Sequence, residues 1–144
     1  TVVTNSINVA LILSNSPNIQ VYLAGGLVRP GDEDTMGLDT IAYLSRFNIQ
    51  YSVFGVGGLC KKGQLLDFSV EESSVTNVIM KNSETRILVA DHSKINRYAP
   101  LITGNLSEID FLIMDSLSAS YKQTCKSFES EIIEVGSSSE SLSC

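Results

Sequence analysis

The stretch from Asp67 to Lys94, DFSVEESSVTNVIMKNSETRILVADHSK, leaves few folds open to this chain. Ser69, with Glu72 three residues on, has the Ser-x-x-Glu pattern of a capping box, which starts a helix by satisfying two of its orphan amides. Val75, Val78 and Ile79 then recur on one face at helical spacing. After a Ser/Asn break, Arg86-Ile87-Leu88-Val89-Ala90 is the short apolar run of a strand covered on both faces. It ends on Asp91-His92-Ser93-Lys94, four polar side chains at the strand end where open α/β sheets hold their ligands.

The same alternation runs through the chain. Extended segments are expected at Thr1–Thr4, Ile19–Ala24, Tyr51–Val56 and Asp110–Asp115, with a short edge strand at Ile132–Val135 and a brief extended piece at Gln64–Phe68. Between them, helices are expected after the cap residue Ser6, over Leu38–Phe47, and over Leu117–Glu129. Leu27–Asp34, with Pro30 and Gly31, is expected to be a loop, and Asn96–Leu106 irregular with one short strand. Strand and helix alternate about five times, so the predicted class is α/β. The expected architecture is three-layer and Rossmann-like, a mostly parallel sheet with helices on both faces. Residues 1–136 are expected to form one domain and 137–144, rich in serine, a flexible tail.

Composition narrows the function. No apolar run reaches the ~20 residues that span a bilayer, so no membrane partner is expected. The net charge of −6 would be repelled by a phosphate backbone, which makes this segment a poor DNA binder by itself. Three cysteines far apart in sequence look like reduced thiols of a cytoplasmic protein. With one histidine, His92, no metal site is assigned.

Several strand ends converge on one chemistry. Thr4-Asn5-Ser6 precedes a helix, Gly25-Gly26 follows the second strand, and Gly55 to Gly58 follows the third. Glycine lets a backbone approach a ligand, helix-start amides favour an anion, and Lys94 adds a point charge suited to phosphate. A glycine pair after a strand also serves as a plain turn. No P-loop and no complete Gly-x-Gly-x-x-Gly is present, which disfavours ATP and NAD, and no cofactor is expected. Asp67, Glu71, Glu72 and Asp91 are the carboxylates near the crevice, open to service as a base or as acceptors from hydroxyls. Glu72 has a second role open to it as a helix cap, and Asp91 as a brace for its own turn. His92 reads as a surface residue. Cys60 has no histidine near it in sequence, which argues against a thiol nucleophile.

The ordered motifs Val2-Val3-Thr4-Asn5-Ser6, Leu23-Ala24-Gly25-Gly26-Leu27-Val28-Arg29, Phe54-Gly55-Val56-Gly57-Gly58 and Ala90-Asp91-His92-Ser93-Lys94 resemble the C-terminal sensor domain of DeoR-type bacterial transcription regulators. The resemblance covers Thr1 to about Val135. It implies a fold shared with ribose-5-phosphate isomerase, glucosamine-6-phosphate deaminase and coenzyme A transferases. It further implies a crevice for a phosphorylated sugar, homo-oligomerisation, and DNA contact only through a separate helix-turn-helix domain upstream. On this resemblance Asn5, Ser6, Gly25, Gly26, Gly55, Gly57, Gly58 and Lys94 would line the effector site, with Asp67 and Glu72 nearby and no catalytic residue. Three departures stand out: the family's usual additional first strand with its Gly/Thr-rich loop is missing here, Gly57 stands where the family commonly has Asp, and Thr76-Asn77 replace a Lys-Arg pair. The alternative is a sugar-phosphate isomerase or deaminase of the same fold. The isomerases' acid-rich Asp-Gly-Ala-Asp-Glu turn is replaced here by Gly57-Gly58-Leu59-Cys60, which favours sensing.

Overall fold

A computed structural model of the chain describes residues 1–136, so the expected tail lies outside the described residues. Eleven strands and four α-helices follow one another, with two short 3-10 turns. Strands β5 (Ile49–Phe54), β8 (Ser83–Ala90), β10 (Phe111–Met114) and β11 (Glu131–Glu134) form the central sheet, in the order β11-β10-β8-β5. All of its neighbours run parallel, with Phe54 beside Leu88, Leu88 beside Leu112, and Leu112 beside Ile132. The α/β class with a mostly parallel sheet is as expected, and β11 is an edge strand, with β5 at the opposite edge. Helix α3 (Val70–Lys81) connects β7 (Gln64–Asp67) to β8, and α4 (Ala119–Cys125) connects β10 to β11.

Alternation along the strands decides where the core sits. Leu88, Leu112 and Met114 point to one side and are buried there against Met80 of α3 and Tyr121 and Cys125 of α4, together with Leu59, Leu65 and Leu106. The other side carries Tyr51, Val53, Val89 and Ile133, of which Tyr51 and Val53 are 70% and 66% exposed. A second core of Ala24, Leu44 and Val75 joins α2 (Leu38–Leu44) to the Val75/Val78/Ile79 face of α3. That is the stripe predicted from spacing.

Two groups of strands stand outside the central sheet. Strands β1 (Val2–Thr4) and β2 (Val21–Leu23) pair in parallel across helix α1 (Ile7–Ser14), and β1 makes no pairing with β5. Strands β6 (Gly58–Leu59), β7 and β9 (Leu101–Asn105) form an antiparallel sheet whose Leu59, Leu65 and Leu106 flank feeds the main core. The expected loop at Leu27–Asp34 is instead part of a hairpin: β3 (Leu27–Val28) pairs with β4 (Thr35–Met36), with Pro30 and Gly31 in the connection. Its strands are too short to show a period. The predicted helices at 38–47 and 117–129 are shorter, because their last residues tighten into i to i−3 bonds. Phe47 then turns its ring to Tyr22 and Tyr43, and Phe128 turns onto the main core.

Candidate functional site

A cleft of about 530 Å³ opens at the carboxyl ends of β1 and β5, beneath the β3–β4 hairpin and against the start of α3. It falls within the ~300–1,000 Å³ range of small-molecule sites. Asn5, Ser6, Gly55, Gly57, Asp67, Glu72 and Lys94 all line it, so residues up to 89 positions apart (94 − 5) are brought to one place. Gly25, Gly26 and Gly58 are not among its lining residues. At Gly26 and Gly58 the chain approaches itself closely. The Gly25 carbonyl accepts a hydrogen bond from Thr40 Oγ1 at 2.7 Å. A Cβ on Gly26 would meet that hydroxyl at 2.1 Å, and one on Gly58 would meet the Arg97 carbonyl at 2.2 Å. A Cβ on Gly57 would stand 2.9 Å from the Phe68 ring, so any side chain there would have to displace that ring.

Several lining groups are already engaged within the protein. Asn5 donates from Nδ2 to the Thr35 carbonyl at 3.0 Å, tying the end of β1 to the hairpin. Ser6 holds the cap position of α1 with an extended backbone, yet its hydroxyl caps no amide and is left to the cleft. Asp67, 4% exposed at the end of β7, accepts from the Gly57 amide at 2.8 Å and from Thr103 Oγ1 at 2.7 Å. Burial pushes its carboxyl pKa up, against the pull of those two hydrogen bonds. The Gly57 amide is therefore committed to Asp67 and is not offered to a ligand. At the head of α3, Ser69 Oγ accepts from the Glu72 amide at 3.1 Å, as the capping pattern requires. The Glu72 side chain does not return to the Ser69 amide. It accepts from the Ser69 hydroxyl at 3.2 Å and pairs with Arg29.

Two cations in the cleft have no carboxylate partner among the described residues: Lys94, in the 3-10 turn His92–Lys94, and Arg97, three residues on. The Arg97 guanidinium lies 4.9 Å from the centre of the Phe68 ring, a cation–π contact that orients it. Sequence reasoning missed Arg97 and Arg29. Nothing near Arg97 in the chain indicates Phe68, but the Lys94/Arg97 spacing, i and i+3 just past a strand end, was a usable signal. Asp91 braces its own turn, as one of its two open roles required, by accepting from the Ser93 amide at 2.8 Å.

Behind Lys94, the exposed His92 meets Asp115 at the end of β10, with Nδ1 2.5 Å from Oδ2 and its amide donating to Oδ1 at 2.7 Å. That hydrogen bond, with the carboxylate's charge, lifts the imidazole pKa above its ordinary 6.5 and lowers that of Asp115. Because the folded value lies above the unfolded one, the contribution of His92 to stability is complete below pH 6.5 and is lost as pH rises through the folded value. An NMR titration of this sole histidine should give a midpoint above 6.5, which Asp115→Asn brings down. A wild-type midpoint at or below 6.5 would contradict the pairing.

Among the described residues no cluster of three or more metal-ligating side chains occurs, and no helix is long and apolar enough to cross a membrane. The chain is 34% identical over 115 residues to the glycerol-3-phosphate regulon repressor of Escherichia coli K12, covering 80% of this chain and 46% of that repressor. It is 32% identical over 133 residues to the HTH-type transcriptional repressor CsqR of the same organism, covering 92% and 51%. With the HTH-type transcriptional repressor GlcR of Bacillus subtilis 168 it shares 33% over 117 residues, covering 81% and 45%. The chain thus spans about half the length of the curated relatives it matches. The model of the DeoR C-terminal sensor domain matches residues 1–116, a span that holds every residue lining the cleft, and the chain belongs to that family.

Proposed function

We propose that the cleft binds a phosphorylated sugar or related metabolite, and that the domain is the effector sensor of a transcriptional repressor of sugar metabolism. The observation that carries this reading is the pair Lys94 and Arg97, two cations without carboxylate partners among the described residues, in a cleft that also presents the Ser6 hydroxyl. Cations in such a place favour a dianionic phosphate through charge-assisted hydrogen bonds. The name of the E. coli relative, a glycerol-3-phosphate regulon repressor, points to the same ligand chemistry. What favours binding over catalysis is that Asp67 and Glu72, the carboxylates best placed to act as bases, already accept hydrogen bonds or ion pairs.

In the whole protein, DNA contact belongs to a separate helix-turn-helix domain, the protein is a cytoplasmic homo-oligomer, and ligand shifts the balance between two arrangements of its DNA-binding parts. The test is thermal unfolding of the full-length protein with glycerol 3-phosphate, ribose 5-phosphate and other sugar phosphates. At 100 times Kd, a ligand bound only by the folded state stabilises by about 2.7 kcal/mol. At least one sugar phosphate should raise the Tm, and a panel with no shift would overturn the reading.

A further inference from the structure

Arg29 reaches the cleft from the β3–β4 hairpin and is held there by two carboxylates. Its Nε donates to Asp32 Oδ1 at 2.9 Å, its guanidinium also pairs with Asp32 Oδ2, and Nη1 pairs with Glu72 Oε1 at the head of α3. Of the cations lining the cleft, Arg29 alone is neutralised by the protein itself among the described residues.

We infer that the Glu72 carboxylate is an internal counter-anion at Arg29, displaced by the anionic group of the effector, so that Arg29 becomes a third ligand-binding cation. The inference rests on the reading of the cleft as an anion site. Of the two lining carboxylates nearest the head of α3, Asp67 is locked by Gly57 and Thr103, whereas Glu72 is about a quarter exposed and sits on a side chain with three torsions. The helix does not need that side chain, because Ser69 caps the Glu72 amide independently. An ion pair whose two side chains both keep about a quarter of their surface in solvent is partly screened. A guanidinium binds phosphate through two parallel hydrogen bonds and a larger charge, so exchange favours the ligand. The hairpin is anchored to the end of β1 by the Thr35 amide, which donates to the Asn5 carbonyl at 2.8 Å. Transfer of Arg29 from Glu72 to the ligand replaces a link between hairpin and helix with one between hairpin and ligand. Bound anion is thereby coupled to hairpin position.

The test uses the full-length protein titrated with inorganic phosphate at fixed ionic strength. Glu72→Gln keeps the shape of the side chain and one acceptor oxygen, enough for the Ser69 hydroxyl, but removes the competing charge. It should bind phosphate roughly three- to ten-fold more tightly than wild type, as removal of a like charge a few ångströms away implies. Arg29→Ala should bind more weakly, and Arg29→Ala/Glu72→Gln should show no gain over Arg29→Ala. Unchanged or weaker binding by Glu72→Gln, while Lys94→Ala loses binding, would overturn this inference alone. Absence of phosphate binding by both wild type and Glu72→Gln would overturn it together with the anion-site reading.

Discussion

Lys94→Ala should remove the stabilisation that a sugar phosphate confers while leaving the unliganded protein as stable as wild type. Lys94 is half-buried, has no carboxylate partner among the described residues, and is placed by its backbone, whose amide donates to the Asp91 carbonyl at 3.0 Å. Truncating the side chain therefore breaks nothing within the fold. In the complex it removes a charge-assisted contact worth about 1.5–3 kcal/mol, a loss of roughly 10- to 150-fold in affinity. Calorimetric titration measures that ratio directly, and an unchanged Kd in the variant would place the anion elsewhere.

The other large effect belongs to a residue that serves the site without being free to touch ligand. Asp67 joins the Gly55–Gly58 loop, through the Gly57 amide, to β9, through Thr103, whose hydroxyl lies 3.1 Å from Ser73 of α3. Asp67→Ala leaves the part-buried Gly57 amide and the Thr103 hydroxyl without their acceptor, at a cost of about 1–3 kcal/mol, and releases the loop that forms one wall of the cleft. Urea unfolding should show that loss, and ligand affinity should fall with it. Asp67→Asn retains one acceptor and should lose less. Equal stability of Asp67→Ala and wild type would contradict the positioning role.

Much of this fold was legible because its elements carry local signals. Ser69 caps α3, the Val75/Val78/Ile79 stripe faces a core, and Arg86–Ala90 lies within a strand, though one covered on the Leu88 side only, since Val89 on the other side stays 43% exposed where a strand covered on both faces was expected. The hairpin was not legible, because its two-residue strands have no period and its attachment is a hydrogen bond between Asn5 and Thr35, 30 positions apart. The site was half legible for the same reason. Lys94 announces itself at a strand end, but Arg29 acquires its meaning from Glu72, 43 positions away by number (72 − 29), and Arg97 from Phe68. Glycines are ambiguous in sequence. The same residue permits close approach of a ligand or of the chain's own backbone, and only the Thr40 hydroxyl and the Arg97 carbonyl decide that Gly26 and Gly58 serve the chain.

The central claim is that one phosphate-sized anion sits where Lys94 and Arg97 converge, and a crystal structure of the full-length protein with a bound sugar phosphate tests it most directly. The account predicts the phosphate within hydrogen-bonding distance of Lys94 Nζ and the Arg97 guanidinium, in the cleft bounded by Ser6 and Gly55. A phosphate bound outside that cleft, with both cations still facing solvent, would contradict it.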